Sequence, residues 1–343
     1  MFLNNFIMQI ILYFYKFYYK ILRRNRWNPQ YDFLIPHGSI MHKACMGQYK
    51  RKMINKLRKK VFVSTITIVE SGYYYIKSRK VVIDSGTLST NSIFYSKKND
   101  VSNIEKIACD TYIEVVNSDC LEEGVRLLDL GYNPAILNMA SRHYPGGGTT
   151  NGSIGQEEDI FRRTNIYRSL YQYAPIGKRF KIEMSKDQYP MDRNYGGIYS
   201  PGITIFRESA QNGYALMKQP RTVAFISVAG INRPTLTSDG MIDNAHLEMI
   251  KNKVRTILRI GLHNGHDSLV LGAFGCGAFR NPPKHIALLF YEVLKEEEFV
   301  NKYKHISFAI LEDSNSFHKH NRLGNLRYFE QQFKNVVHYE NGR

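Results

Sequence analysis

The chain is poor in cysteine, poor in acid near its start, and lacks any uninterrupted apolar stretch long enough to cross a bilayer. Its four cysteines (Cys45, Cys109, Cys120, Cys276) in 343 residues form no C-x-x-C pair. That excludes a disulfide scaffold or zinc ribbon and makes a reducing compartment the default, hence a cytoplasmic location, or a nuclear one in a eukaryote. The eleven histidines are scattered, with no H-E-x-x-H array, so neither a metal nor a cofactor is expected. The longest apolar and aromatic run, Phe6 to Tyr15, is interrupted by Lys16 and Lys20 and falls short of the roughly 20 residues a spanning helix needs. No positive segment precedes it and no small-residue cleavage site follows, which argues against a signal peptide. With Lys20, Arg23, Arg24 and Arg26 beyond it, the run reads either as an interfacial anchor or as a non-catalytic extension.

Acid is scarcest in the first 60 residues, where Asp32 stands alone against 13 Lys and Arg; most of the formal net charge of +17 therefore lies there. The basic residues cluster at 50–52 and 56–60. Such a run attracts polyanions, nucleic acid among them. The commoner meaning of a charge run is a solvated helix face.

A content of 43% hydrophobic and 22% charged residues is ample for a core and allows one large domain with extensions. Residues 1–44 read as an extension and 45–110 as an accessory region packing on the core. In the latter a basic helix at 49–60 is expected to give way to a β-branched strand over 61–69, a Ser71-Gly72 turn, and short strands at 73–76 and 81–83. From Tyr112 strand and helix patterns alternate. Strands are predicted at 112–117, 134–139, 203–206, 222–228, 268–273 and 305–311, and helices at 120–129, 156–172, 241–263, 283–298 and 324–335. The stripe Leu247, Ile250, Val254, Ile257, Leu258 has the spacing of one buried helix face. Alternation of this kind over 111–338 predicts an α/β fold, a three-layer α/β/α sandwich with a mixed sheet. A long loop at 174–202 invites a functional reading.

Three stretches carry chemistry. A buried strand ends at Asn138 and leads into Pro145-Gly146-Gly147-Gly148, at the strand end where α/β sheets place ligands. Glycine lets backbone approach a ligand closely, and Asn138 is suited either to a ribose hydroxyl or to satisfying buried backbone. Downstream, Ser153 and Gln156 have capping-box spacing, which predicts a helix beginning at Ser153. Glu157 and Glu158 then sit near its first turn, about 100° apart, and cannot play the same role. Carboxylates there also simply complement a helix dipole. Ile160 and Phe161 follow each acid by three residues, and apolar cover raises a carboxyl pKa as a general acid requires. Finally, Leu269 to Leu271 runs into Gly272-Ala273-Phe274-Gly275-Cys276-Gly277-Ala278-Phe279-Arg280-Asn281 and then Pro282-Pro283. The amides of such a loop ahead of a helix form an anion cradle. It is neither a Walker loop nor a dinucleotide fingerprint. Cys276 reads as a small buried thiol rather than a nucleophile. A fourth stretch, Tyr199-Ser200-Pro201, offers an aromatic edge for adenine or for the core.

The order and spacing of these stretches, above all the three glycines followed after seven residues by Gln156-Glu157-Glu158, resemble the poly(ADP-ribose) glycohydrolases of bacterial type, in the macrodomain superfamily. The resemblance runs from about residue 50 to about 335. It implies a macrodomain with an N-terminal extension, acting as a monomer on the terminal ADP-ribose of a polymer or of an ADP-ribosylated protein. Glu158 then matches the catalytic acid, Glu157 the residue that holds the ribose, and Gly275, Cys276, Gly277, Ala278 and Phe279 the diphosphate loop, with Phe279 near the distal ribose. Asn138, Gln156 and Gly146 to Gly148 complete the implied substrate contacts. Pro282 departs from the acidic or small polar residue anticipated after the asparagine. A hydrolase of mono-ADP-ribose, a module that only binds ADP-ribose, and a membrane- or nucleic-acid-associated protein with a tethering macrodomain remain alternatives.

Overall fold

In the computed structural model, residues 48–83, 91–98, 109–312 and 316–334 are described; the extension 1–44 lies outside them. Seven strands form one mixed sheet in the order β3-β6-β7-β5-β8-β9-β4. The strands are β3 (Ile93–Tyr95), β4 (Tyr112–Val116), β5 (Pro134–Ala140), β6 (Gly197–Arg207), β7 (Leu216–Ala229), β8 (Ser268–Leu271) and β9 (His305–Ala309). β7, β5, β8, β9 and β4 run parallel; β6 is antiparallel to β7, and β3 to β6. Helices α1 (Gln48–Ser71), α2 (Cys120–Asp129), α3 (Gln156–Arg163) and α4 (Ile166–Leu170) cover one face. Helices α5 (Asn244–His263), α6 (Pro283–Leu294) and α7 (Leu326–Phe333) cover the other.

Period-two alternation sorts β5 between the two cores. Ala135 and Leu137 face the α5–α7 core, Ile136 and Ala140 the α1–α4 core. Asn138 has the parity of Ile136 and Ala140, so it points toward the layer that contains α3. All five parallel strands end at one edge of the sheet. The loops after β5, β7 and β8 meet there and define the cleft.

The 61–69 segment corrects the sequence reading. It is not a strand but the second half of α1. Ile54, Leu57, Val61, Phe62, Thr65 and Val69 are buried, at the three- and four-residue spacing of a helix face. Phe62 packs on Phe161 and Tyr167, with ring centroids 6.3 and 6.4 Å away. The helix preference lost by β-branched residues is at most about 0.7 kcal/mol each, while burying one apolar side chain contributes about 1.5–3 kcal/mol, so packing decides. Gly72 ends the helix with φ +72° and donates to Ile68 and Val69, and β1 (Tyr73–Ile76) and β2 (Arg79–Val82) follow as a hairpin. The predicted helix 156–172 divides into α3, α4 and a 3-10 turn at Tyr171–Tyr173.

Candidate active site

The glycine run after β5 is shaped around the two acids. Gly146 and Gly147 adopt left-handed φ values of +77° and +49°. A Cβ on Gly146 would lie 2.6 Å from the Phe161 ring, and one on Gly147 would lie 2.7 Å from Oε1 of Glu158 and 3.1 Å from Oε2 of Glu157. A larger residue would push into the Phe161 ring at 146 and into the carboxylates at 147. The amides follow the same plan: Gly146 N–H donates to Glu157 Oε1 at 2.9 Å, and Gly148 N–H to Glu158 Oε1 at 2.9 Å. Gly147 N–H turns back to Tyr144 O. The amides of Gly146 and Gly148 are thus engaged by the acids, and that of Gly147 by the Tyr144 carbonyl.

Helix α3 begins at Gln156 with Gly155 as its N-cap and no side-chain cap, so the capping box expected from Ser153 does not form. Ser153 does not stand at the cap position, and its hydroxyl lies against Gly148, 2.3 Å from where a Cβ there would stand. A Cβ on residue 155 would lie 2.2 Å from Oε2 of Glu158, so the position before the helix is given to glycine. Ser153 instead accepts through its carbonyl from the Arg162 guanidinium.

The acids are unequal. Glu157 is buried, and both of its oxygens are held by backbone: Oε2 by Ser141 N–H at 2.7 Å and Oε1 by Gly146 N–H. Burial pushes its carboxyl up to about 8, with the neighbouring Glu158 charge adding to the effect, against the lowering exerted by those two amides. Glu158 is half-buried. Its Oε1 accepts from Gly148, while Oε2 has no hydrogen-bond partner among the described residues. The raised carboxyl that apolar cover was expected to produce thus falls on Glu157.

Gln156 closes the adjoining sheet. Its Oε1 accepts from Met139 N–H at 2.7 Å and its Nε2 donates to Leu137 O at 2.6 Å, beyond the point where β5 and β8 part at Ile136 opposite Val270. Its amide serves the strand. Asn138 is fully buried and donates to Ser227 Oγ at 3.0 Å; its Oδ1 has no partner among the described residues. It forms the floor beneath Glu157 rather than the cleft surface.

The loop after β8 has the opposite character. Gly275 (φ +74°) packs where a Cβ would lie 2.6 Å from Asn281 Nδ2. Asn281 pins the loop by donating to Ile231 O at 2.7 Å and Gly275 O at 2.9 Å. Arg233 N–H donates to Phe279 O at 2.8 Å, tying in the loop after β7. The amides of Gly277, Ala278 and Phe279 donate to no acceptor among the described residues and are available to an anion. Cys276 is fully buried and desolvation drives its thiol pKa far up, in keeping with a packing role. Pro282 is the N-cap of α6, so the departure noted in the sequence starts that helix. Tyr199 is buried on β6 with its hydroxyl 2.9 Å from His266 Nε2, an edge of the core rather than a stacking platform.

Two contributors had escaped sequence reasoning. Thr65 on α1 donates its hydroxyl to Arg162 O at 2.5 Å and accepts from Arg207 Nε at 3.0 Å. Arg207 is wholly buried and also donates to Tyr214 O and Ser64 Oγ, both at 2.9 Å. Together they brace the C-terminal end of α3. A buried threonine on a segment that reads as a strand gives no sequence sign of this.

The microbial-type PARG catalytic-domain family matches residues 63–208, which include both acids and the glycine run. No curated protein matches the chain. Among solved structures, a poly(ADP-ribose) glycohydrolase from Thermomonospora curvata bound to the inhibitor ADP-HPD is 28% identical, with a TM-score of 0.65 over 80% of this chain and 99% of that one. A poly(ADP-ribose) glycohydrolase from Deinococcus radiodurans in complex with ADP-ribose is 25% identical, with a TM-score of 0.55 over 73% of this chain and 96% of that one. Residues 63–208 thus match the microbial-type PARG catalytic-domain family, and the chain shares its fold with bacterial poly(ADP-ribose) glycohydrolases.

Proposed function

We propose that the protein hydrolyses the ribose–ribose O-glycosidic bond of poly(ADP-ribose), releasing ADP-ribose, with Glu158 as the residue that donates and then recovers the proton. The observation that carries this assignment is the inequality of the two carboxylates. Glu157 has both oxygens engaged by backbone amides, whereas Glu158 is fixed through Oε1 and keeps Oε2 for a reacting group. The relatives bound to ADP-HPD and to ADP-ribose support the substrate class.

Glycosidases commonly place two carboxylates on opposite sides of the sugar. Consecutive residues on one helix turn cannot do so, and one acid must serve twice. Glu158 protonates the departing 2′-oxygen of the neighbouring ribose as the bond to the anomeric carbon breaks. The ribose passes through an oxocarbenium-like state, stabilised by the substrate's own diphosphate, which the amides of Gly277, Ala278 and Phe279 hold in place. Water then adds to the anomeric carbon and returns its proton to Glu158. The lone pairs that Glu157 has left orient the ribose hydroxyls.

The raised carboxyl of Glu157 favours a second reading, in which Glu157 is the proton donor and Glu158 grips the sugar. Release of ADP-ribose from automodified polymerase distinguishes the two. Glu158→Gln should lose about 10²–10⁴-fold in rate while retaining ADP-ribose affinity by calorimetry. Near-normal turnover of Glu158→Gln together with a dead Glu157→Gln would transfer the role to Glu157. The same assay on mono-ADP-ribosylated protein tests the narrower substrate.

A further inference from the structure

We propose that the outer surface of α1 and the β1–β2 hairpin is a second binding surface for the polymer, holding units remote from the bond being cut. The inference rests on the polymer being the substrate and adds a site outside the cleft.

Residues 48–83 contain ten Lys and Arg and a single acid, Glu70. Glu70 is already engaged, accepting from Tyr167 at 2.6 Å and from Arg168 at 3.2 Å. Lys56, Lys59, Val63 and Thr67 are exposed along one side of α1, three to four residues apart, and so form a single stripe. A shallow, largely apolar hollow of about 490 Å³ lies along it, lined by Val63, Thr67 and Ile68 together with Lys56 and Lys59. The stripe starts beside the catalytic loop. The backbone carbonyl of Asn55 lies only 2.2 Å from where a Cβ on Gly152 would stand, and Lys56 follows directly. From Asn55 to Gly72 the helix rises about 25 Å, at 1.5 Å per residue.

The hairpin supplies what a merely solvated charged face would not, namely exposed rings. Tyr73 and Tyr75 are 36% and 56% exposed, and Val82 is 70% exposed. Tyr73 pairs across the hairpin with Val82, and Tyr75 with Lys80, so the four share one face. Lys80 Nζ stands 4.1 Å from the centroid of the Tyr73 ring, and Lys77 and Arg79 are exposed at the turn. Cations interleaved with accessible aromatic faces bind single-stranded polyanions that carry bases, by ion pairing and base stacking. Poly(ADP-ribose) presents both a diphosphate and an adenine in every unit, and its charge complements this surface.

The test uses the full chain with Lys56, Lys59 and Lys80 changed to Glu, and separately Tyr73 and Tyr75 changed to Ala, on polymers graded by length. Each base–aromatic stack contributes about 1–3 kcal/mol, so KM for long polymer should rise about tenfold or more in either variant. KM for the dimer and kcat on any length should stay unchanged, which also reports intact folding. The salt dependence of long-polymer binding, measured in the Glu158→Gln background, should flatten in the lysine variant. An unchanged KM for long polymer, or an equal rise for dimer and long chains, overturns the proposal. Tighter binding of single-stranded DNA than of long polymer to the Glu158→Gln chain would also overturn it, assigning the surface to nucleic acid. If the unaltered protein fails to cleave even the dimer, the enzymatic reading falls, while the binding measurements still decide on the surface.

Discussion

Two glycine loops flank the cleft, and they use the same residue type in opposite ways. In the loop after β5, glycine makes room for the protein's own carboxylates: the amides of Gly146 and Gly148 are consumed by Glu157 and Glu158. In the loop after β8, the amides of Gly277, Ala278 and Phe279 stay open, and glycine serves the turn that Asn281 locks. Glycine content alone does not identify an anion cradle. What matters is whether the freed N–H groups find an acceptor within the fold. A loop that binds its own acids orients them; a loop with open amides awaits a ligand.

The sharpest way to break this contrast is Gly147→Ala. A Cβ there meets Oε1 of Glu158 at 2.7 Å, and a misplacement of about 1 Å can cost about 10²-fold in rate. The expected outcome is a fall in kcat of that order with ADP-ribose affinity nearly unchanged. Gly275→Ala should do the reverse. Displacing Asn281 spoils the open amides, and hydrogen bonds to a charged group contribute about 1.5–3 kcal/mol. Calorimetry should therefore show ADP-ribose binding weakened about tenfold, and turnover at saturation should fall by less than in Gly147→Ala. Equal effects of the two variants on rate and affinity would erase the distinction between the loops.

Smaller effects sharpen it. Thr65→Val leaves Arg207 Nε and the Arg162 carbonyl without their shared partner, at about 1–3 kcal/mol. Thermal or denaturant unfolding should show the loss, and Thr65→Ser should restore stability. The last test concerns protons. A Glu157 carboxyl raised from about 4.5 to about 8 keeps a proton that the unfolded chain gives up across that interval. Stability from this group is therefore present below about 4.5 and is lost as pH rises through about 8. A carbon-13 titration of Glu157 by NMR should show a midpoint near 8; a midpoint below 5 would mean that the amides of Ser141 and Gly146 outweigh burial.

Much of this architecture is legible from local pattern. The strands of the parallel sheet, helix α2 and the stripe of α5 follow from periodicity, because one face of each must be buried whatever else the chain does. The acids and both glycine loops are legible as motifs. The direction in which the loop amides point is not, because it depends on α3 sitting against the loop. Gln156 illustrates the limit: it stands in the motif, yet its amide completes β5. Residues 61–69 illustrate the other. Their β-branched composition is that of a strand, and only contact with Phe161 and Tyr167 reveals the helix.

The bracing of α3 through Thr65 has a consequence for how the protein comes into being. Thr65 bonds to partners 97 and 142 residues further along the chain, and contacts of such sequence separation form late and slowly. As synthesis proceeds, the acids at 157 and 158 emerge well before Arg207 is available to steady them. A nascent or truncated chain ending short of that arginine carries both acids and the amides that orient them, but lacks part of the brace at the end of α3. The end of α3 is therefore fully steadied only once the antiparallel edge of the sheet has closed over the first helix.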